Sequence, residues 1–310
     1  MVGCQGVATR AVLVGLVATL GCQGTGDNAS EDSDTDRPGM SEQQAKASCA
    51  ALPTGTDEQS AAAHDRINMY RRAMGLPCID FVPAIAAAAA AHCAYYTANQ
   101  GSCIASPHRE VATCDKFRGE HFYDRLQAAG YTGSPAYEDM TYVGNGAFAV
   151  DEWVDSIWHR IPILSPYVQD AGYGMNGACD TMDFGWAPAP STTSPVVYPY
   201  DTQIGVPISF AGDTESPPPP RPPKGWPSGY PILIYAANLR VQSHTLLDDK
   251  GVALAHTFIA PGDATSDGVL LYELVMYADE PLKHNTTYRV AVDGTTQVET
   301  IHLAWSFTTR

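Results

Sequence analysis

The sequence predicts an α+β fold in which one domain mixes helices with short strands and a second, smaller domain is all-β. Apolar residues recur at helical spacing between Asp57 and Trp158, which is typical of packed amphipathic helices. Short strand-like stretches bounded by glycines follow Gly172. From Tyr230 onward, the chain alternates short β segments with turn sequences. At 310 residues, the chain is long enough for two domains that each bury a core.

Residues 1–22 have the pattern of a lipoprotein signal peptide. A weakly basic region ends at Arg10, and the apolar run Ala11–Gly21 that follows is too short to cross a bilayer. The run ends in Thr19-Leu20-Gly21-Cys22, which resembles the small-residue-then-cysteine cleavage site of bacterial lipoproteins. We therefore predict lipidation at Cys22 and an extracytoplasmic protein on the outer membrane or cell surface. Ordinary secretion, with Cys22 merely near the cleavage point, is the alternative.

Residues 23–55 predict a solvated, disordered tether, because their polar and acidic composition cannot build a core. The whole chain is also acidic, with 18 Lys and Arg against 34 Asp and Glu and a net charge of −16. The phosphates of nucleic acids and the headgroups of anionic lipids would repel this charge. We therefore exclude nucleic acid as a partner and expect membrane contact only through the lipid anchor.

Of the eight cysteines, Cys4 lies in the predicted signal peptide and Cys22 at the predicted anchor. The others form an even-numbered set in or just before the first domain, which favours disulfides in an oxidising compartment. They are Cys49, Cys78, Cys93, Cys103, Cys114 and Cys179. The sequence does not choose among the pairings, although its short spacing makes Cys103 with Cys114 the favoured local pair.

The first domain, predicted over residues 56–190, contains helices followed by short strands. The helical patterns begin near Asp57 and continue through Val82–Ala98, Phe122–Ala129 and Ala149–Trp158, and the strand patterns cover Tyr173–Met175 and Met182–Gly185. Gly75-Leu-Pro77 separates the first two helices. Pro162 disfavours helical geometry at Ile161, so the fourth helix is expected to end there.

Prolines cluster in residues 191–229, which predicts an extended, semi-rigid linker between the two domains. Residues 230–310 carry short β segments at a spacing that is typical of a small β-sandwich. These segments are Ile232–Tyr235, Leu239–Gln242, Val269–Met276, Thr287–Val292 and Thr300–Thr308. Their alternation places Tyr288, Trp305 and Phe307 in or near the core.

An ordered set of short motifs runs from His64 to Gly185. They are Ile67-Asn-Met-Tyr-Arg-Arg with Gly75-Leu-Pro77, Ala91-His92, Ser106-Pro-His-Arg-Glu110, Phe117-Arg-Gly119, Asp124-Arg125, Ala129-Gly-Tyr131, Glu138-Asp-Met140, Trp153, Trp158-His-Arg-Ile-Pro-Ile-Leu164, Gly172-Tyr-Gly174 and Asp183-Phe-Gly185. Together they resemble the bacterial branch of the CAP superfamily, which includes SCP domains, cysteine-rich secretory proteins, antigen 5 and plant pathogenesis-related proteins. The resemblance implies a three-layer α-β-α sandwich around a central cleft. Residues 230–310 resemble the bacterial Ig-like modules that are attached to such proteins.

The same resemblance implies that two histidines and two acidic residues project into the cleft. Carried over by position, the first histidine is His108, the first carboxylate is Glu138 and the second histidine is His159. Histidine is also common at a helix C-terminus, which is the alternative interpretation of His159. His92 on the alanine-rich helix is expected to be a packed core histidine, and the role of His121 stays open.

The position of the second carboxylate departs from the family pattern, because Ser156 stands there. Two other residues are therefore candidates for the missing acid. Asp155 lies four residues before His159, on the same face of the predicted helix, and could orient its imidazole. Glu110 is the second candidate.

Imidazoles and carboxylates that converge in a cleft suit zinc or another divalent metal, or proton transfer near neutral pH. We therefore consider His108 and His159 as metal ligands. The favoured function is an anchored binding protein whose cleft takes a lipid, a small ligand or a divalent metal. One alternative is an extracellular hydrolase in which a histidine and Glu138 provide acid-base chemistry and Ser156 or water attacks. A non-catalytic structural protein of the envelope is the other.

The motifs of two common enzyme classes are missing from the sequence. It contains neither the Gly-x-Ser-x-Gly turn of serine hydrolases nor the His-Glu-x-x-His pair of zinc proteases. The resemblance favours a binding protein over an enzyme, because similar family members are more often described as binders than as enzymes.

Overall fold

The computed structural model describes residues 49–104, 106–263 and 270–310. The predicted signal peptide, the lipidation site at Cys22 and most of the predicted tether 23–55 lie outside the described residues. In the part of the chain that is described, no helix has both the length and the apolar character needed to cross a membrane.

The described part of the first domain contains one more helix than the sequence predicts. The helices are α1 Glu58–Ala73, α2 Pro83–Ala98, α3 Phe122–Ala128, α4 Gly146–Asp155 and α5 Arg160–Leu164. The side chain of Asp57 caps α1 by accepting a hydrogen bond from the backbone N–H of Ser60, 2.9 Å away. Ser156 takes an extended conformation, so α4 ends three residues before the predicted end of the fourth helix at Trp158. The additional helix α5 contains Ile161 and Pro162, so the expectation that Pro162 prevents helical geometry at Ile161 was wrong. Pro162 lies in the first turn of α5, where a proline is tolerated.

A four-stranded sheet with the order β1-β3-β4-β2 lies between the helices. Its strands are β1 Asp80–Phe81, β2 Ser134–Thr141, β3 Val168–Asn176 and β4 Cys179–Trp186. α2 packs closely on one face, where a Cβ on Gly172 would come within 2.1 Å of the backbone nitrogen of Ala86. Successive residues of a strand face opposite sides, and Ala171 and Tyr173 join Ile67 of α1 in one buried cluster. The result is the three-layer α-β-α arrangement that the resemblance implied.

The C-terminal region is rich in β-structure, as predicted, and forms two four-stranded sheets. Their orders are β5-β7-β10-β9 and β6-β12-β11-β8. The strands are β5 Val196–Tyr198, β6 Gln203–Val206, β7 Ile232–Tyr235, β8 Arg240–Leu247, β9 His256–Ile259, β10 Glu273–Ala278, β11 Thr287–Thr295 and β12 Thr300–Thr309. Tyr288, Trp305 and Phe307 are buried, as the alternation predicted. The assignment of this region as Ig-like stays a prediction.

The proline-rich segment 191–229 differs from the extended linker that the sequence predicted. It contributes β5, which pairs with β7, and β6, which pairs with β12. Both are edge strands, so each forms backbone hydrogen bonds with a neighbouring strand on one side only. Prolines are therefore tolerated near them better than in a central strand. The segment is therefore part of the C-terminal fold.

Buried apolar residues of the first domain and of the C-terminal region belong to one continuous cluster. It includes Trp153 and Trp158 from the first domain together with Tyr198 and Tyr230 from the C-terminal region. Each region therefore buries part of its apolar surface against the other.

Three disulfides stabilise the first domain. They join Cys49 to Cys78, Cys93 to Cys179 and Cys103 to Cys114. The local pair between Cys103 and Cys114, which the spacing favoured, is confirmed. These disulfides fit an extracytoplasmic location.

Candidate functional site

His108 lies in the loop between α2 and α3, and it contacts a carboxylate on β2. Its Nδ1 atom is 3.0 Å from Oε1 of Glu138. The imidazole is 44% exposed, whereas the carboxylate is 2% exposed. The structure therefore brings together two of the residues that the sequence predicted, with the imidazole facing solvent and the carboxylate behind it.

Glu138 is surrounded by groups that favour its ionised form. Arg125 on α3 donates a hydrogen bond to Oε2, and Nε2 of His92 lies 4.0 Å from Oε1. Burial alone would raise the pKa of Glu138, but the hydrogen bond from His108 and the charges of His92, Arg125 and His108 lower this pKa to about 2. Glu138 is therefore a carboxylate at neutral pH. Sequence reasoning gave Arg125 no role in the site, although it is part of the Asp124-Arg125 motif.

Glu110 lies behind this site and supports the loop. Its Oε1 is 2.9 Å from Nδ1 of His92, and its Oε2 accepts a hydrogen bond from the backbone N–H of Arg118. His92 is fully buried, as expected of a core histidine, and its Nε2 is 2.9 Å from the carbonyl oxygen of Pro107. Glu110 and His92 therefore hold the backbone next to His108 and do not reach the exposed face of its ring.

His159 lies between α4 and α5 and is partly exposed, with 25% of its side chain accessible. Its Nδ1 is 2.8 Å from Oγ of Ser156, and its backbone N–H donates to the same oxygen over 3.2 Å. Burial, followed by the charge of His108, lowers the pKa of His159 to about 4. His159 is therefore neutral at pH 7, and it lies within electrostatic range of His108.

Asp155 does not orient His159, in contrast to the prediction. The helix ends at Asp155, so the two residues do not share a helix face. Oδ1 of Asp155 instead accepts a hydrogen bond from the hydroxyl of Tyr230 in the C-terminal region, 2.8 Å away.

A carboxylate that the sequence did not predict lies next to His159. Oε2 of Glu215 is 3.7 Å from Nδ1 of His159, and Oε1 accepts a hydrogen bond from the backbone N–H of Ile157 over 2.7 Å. Glu215 belongs to the segment that was expected to be a linker. No local motif marks this residue, so sequence reasoning had no signal by which to find it.

The two imidazoles share one property that bears on ligand binding. Each Nδ1 is held by a neighbouring side chain, Glu138 for His108 and Ser156 for His159. Among the described residues, no side chain or backbone group forms a hydrogen bond with the Nε2 atom of either ring. The described residues also contain no group of three or more His, Cys, Asp or Glu side chains that could hold a metal ion.

Comparisons with known proteins identify the first domain. Residues 64–187 match the family model described as CAP, the cysteine-rich secretory protein family, and therefore form a CAP domain. A similar solved structure is an extracellular protein containing a SCP domain from Bacillus anthracis str. Ames, with 21% sequence identity and a TM-score of 0.36. The match covers 44% of this chain and 45% of that protein, which is less than half of its length. No curated protein matches the chain.

Proposed function

We propose that this CAP-domain protein is an extracytoplasmic binding protein whose cleft takes a divalent metal ion at His108 and His159. The observation that carries the proposal is the pair of imidazoles that are held at Nδ1 and whose Nε2 atoms have no hydrogen-bond partner among the described residues. Metal-binding histidines are usually oriented in this way, by a hydrogen bond from the other ring nitrogen. Anchoring through a lipid at Cys22 is part of the same proposal and rests on the N-terminal sequence alone.

The protonation states support a zinc-like ion. A histidine must be neutral to bind a metal, and the low pKa of His159, about 4, keeps this ring neutral over most of the physiological range. Open zinc sites have three protein ligands and one free position, so two imidazoles would leave one more position to water or to a ligand. When bound, such an ion would supply a Lewis-acidic centre for an oxygen atom of a small ligand.

A separate observation favours a second candidate, the binding of a lipid or sterol-like molecule. A groove of about 400 Å³ lies between the start of α1 and α2, above β3. Its apolar lining includes Phe81, Ala87, Ala90 and Met175. The groove does not include the two histidines, so lipid binding and metal binding can be tested independently.

The hydrolase alternative has weaker support. In a Ser-His-acid triad, the serine and the acid lie on opposite nitrogens of the imidazole. Here Ser156 and Glu215 both lie on the Nδ1 side of His159. Glu138, with a pKa of about 2, is also a weak general base at neutral pH.

Zinc titration tests the main proposal. Zinc at 100 times its Kd stabilises a folded protein by about 2.7 kcal/mol, so we expect a clear rise in the Tm of the full chain. His108→Ala with His159→Ala is expected to abolish this rise, whereas His284→Ala, on the exposed surface of the C-terminal region, keeps it. An equal rise in the wild type and the double variant would reject the site.

A fluorescent fatty-acid analogue tests the second candidate. Ala87 is exposed in the groove, so Ala87→Trp is expected to fill the groove and weaken binding of the analogue without changing the zinc response. Binding that is unchanged by this substitution would exclude the groove. A protein that binds neither probe would fit the envelope structural alternative.

A further inference from the structure

We propose that Glu215 is a positioning residue of the cleft, which acts through Ser156 to hold His159 with its proton on Nδ1 and its Nε2 lone pair toward the ligand. This inference depends on the proposed function only for the identity of the ligand that binds Nε2 of His159. The tautomer of His159 itself can be measured without any ligand.

The hydroxyl of Ser156 has a limited number of hydrogen-bond positions. A serine hydroxyl has one donor and two acceptor positions. Its oxygen already accepts from the backbone N–H of His159, and Nδ1 of the same residue lies 2.8 Å away. If Nδ1 carries the proton, it fills the second acceptor position, and the hydroxyl proton remains to donate to Glu215. The opposite tautomer would direct the hydroxyl proton to Nδ1 and leave none for the carboxylate.

The Glu215 carboxylate is buried, and only one of its oxygens has a hydrogen-bond partner among the described residues. Its side chain is only 3% exposed, and Oε2 is a buried oxygen without a hydrogen-bond partner among the described residues. Its Oε1 accepts a hydrogen bond from the backbone N–H of Ile157 over 2.7 Å, and Oε2 lies 3.7 Å from Nδ1 of His159, the atom that Ser156 contacts. A buried carboxylate oxygen without a hydrogen bond is stabilised by any donor close to it. The Ser156 hydroxyl and the His159 ring are the neighbours of this carboxylate.

The segment that carries Glu215 is held by contacts on both sides of this residue. The residue follows a short 3₁₀ turn at Gly212–Thr214, and a Cβ on Gly212 would come within 2.4 Å of the Trp226 ring. On the other side, Nε1 of Trp158 donates a hydrogen bond to the carbonyl oxygen of Pro217 over 2.6 Å. The C-terminal region therefore presents this carboxylate to the CAP domain from a fixed position.

These contacts bear on Ser156, the position at which this sequence departs from the CAP pattern. Glu215 lies outside residues 64–187, which match the CAP family. The short Ser156 side chain, at the place where the resemblance implied a carboxylate, is adjacent to a carboxylate that arrives from another part of the chain. We infer that the C-terminal region contributes to the cleft as well as packing against the CAP domain.

Nitrogen NMR of the metal-free full chain at pH 7 tests this inference, with the His159 signals assigned by their loss in His159→Gln. We expect His159 to be mainly in the form protonated at Nδ1. Glu215→Gln is expected to shift the population toward the form protonated at Nε2 and to weaken zinc binding by about 10- to 100-fold. Glu280→Gln is the matched control, because this glutamate is 63% exposed, and it should change neither result.

Ser156→Ala provides a second variant, which should cause the same tautomer shift if Glu215→Gln fails to fold. A wild-type ring protonated mainly at Nε2, or a tautomer ratio that neither substitution changes, would overturn the role of Glu215. If the wild type binds no zinc but the tautomer shifts as expected, the proposed metal site fails while the role of Glu215 stands.

Discussion

Nη1 of Arg160 donates a hydrogen bond to the carbonyl oxygen of Pro231, 2.6 Å away. The guanidinium also lies 4.8 Å from the ring centre of Tyr198 and 4.9 Å from that of Tyr230. Arg160 belongs to the CAP domain, and the other three residues belong to the C-terminal region. Because Arg160 is fully buried, water cannot replace these contacts, and we expect the two regions to unfold together.

Replacement of Arg160 tests this coupling. Arg160→Leu leaves the buried carbonyl oxygen of Pro231 without its donor and removes the contacts with two aromatic rings, so we expect a loss of about 3–5 kcal/mol in the free energy of unfolding. Urea denaturation followed by far-UV circular dichroism and by tryptophan fluorescence would measure the loss. Arg289→Ala, on an exposed position of β11, should change the stability by less than about 0.5 kcal/mol. Two separate unfolding transitions in the wild type would contradict the coupling.

The local elements of the first domain could be predicted because their signals are local. Helical periodicity and the Gly75-Leu-Pro77 break located α1 and α2, and glycines located β3. The contact between His108 and Glu138 followed from motifs that resemble those of the CAP family. Each of these inferences used residues that are close in the sequence or belong to an ordered family pattern.

The contacts between the two regions could not be predicted in the same way. Glu215 and His159 are 56 residues apart in the sequence. Helical or strand periodicity carries no information over such a separation. Clustered prolines predicted an extended, semi-rigid linker, but prolines are also compatible with the edge strands β5 and β6. Asp155 failed as a prediction for a related reason. The extended conformation of Ser156 ends α4, and helical spacing does not apply beyond that point.

The disulfides are expected to differ in their contribution to stability. Cys93–Cys179 joins α2 to β4 over a separation of 86 residues, whereas Cys103–Cys114 closes a loop over a separation of 11. Loop-closure entropy predicts a loss of about 4.6 kcal/mol without the long-range bond and about 2.8 kcal/mol without the short one. Chemical denaturation of the two double-alanine variants, each compared with the wild type, would measure this order.

Mapping of disulfide-linked peptides by mass spectrometry provides the control for this comparison. Each variant should keep the other two pairs, and a scrambled pairing would invalidate its stability value. A larger loss from Cys103→Ala with Cys114→Ala than from Cys93→Ala with Cys179→Ala would contradict the entropic argument.

The buried carboxylate of Glu138 is expected to make stability depend on pH below about 5. Its pKa in the folded state is about 2, below the ordinary value of 4.5. A carboxyl group with a lowered pKa stabilises the folded state at pH values above its ordinary pKa, and this contribution is lost as the pH falls toward the folded value. We expect Glu138→Gln to cost on the order of 3 kcal/mol near pH 7, and the difference from the wild type should shrink between pH 5 and pH 2.

The contribution of Asp183 to the pH dependence must be separated from that of Glu138. Burial, followed by the charge of Glu138, raises the pKa of Asp183 well above its ordinary value, so removal of the Glu138 charge also relieves Asp183. The comparison is therefore best repeated in an Asp183→Asn background, where only Glu138 titrates in the pair. Urea denaturation at several pH values would measure the difference, with Glu280→Gln as the exposed control. A cost of Glu138→Gln that stays constant from pH 7 to pH 2 in that background would show that the carboxylate is not held in its charged form by Arg125 and His108.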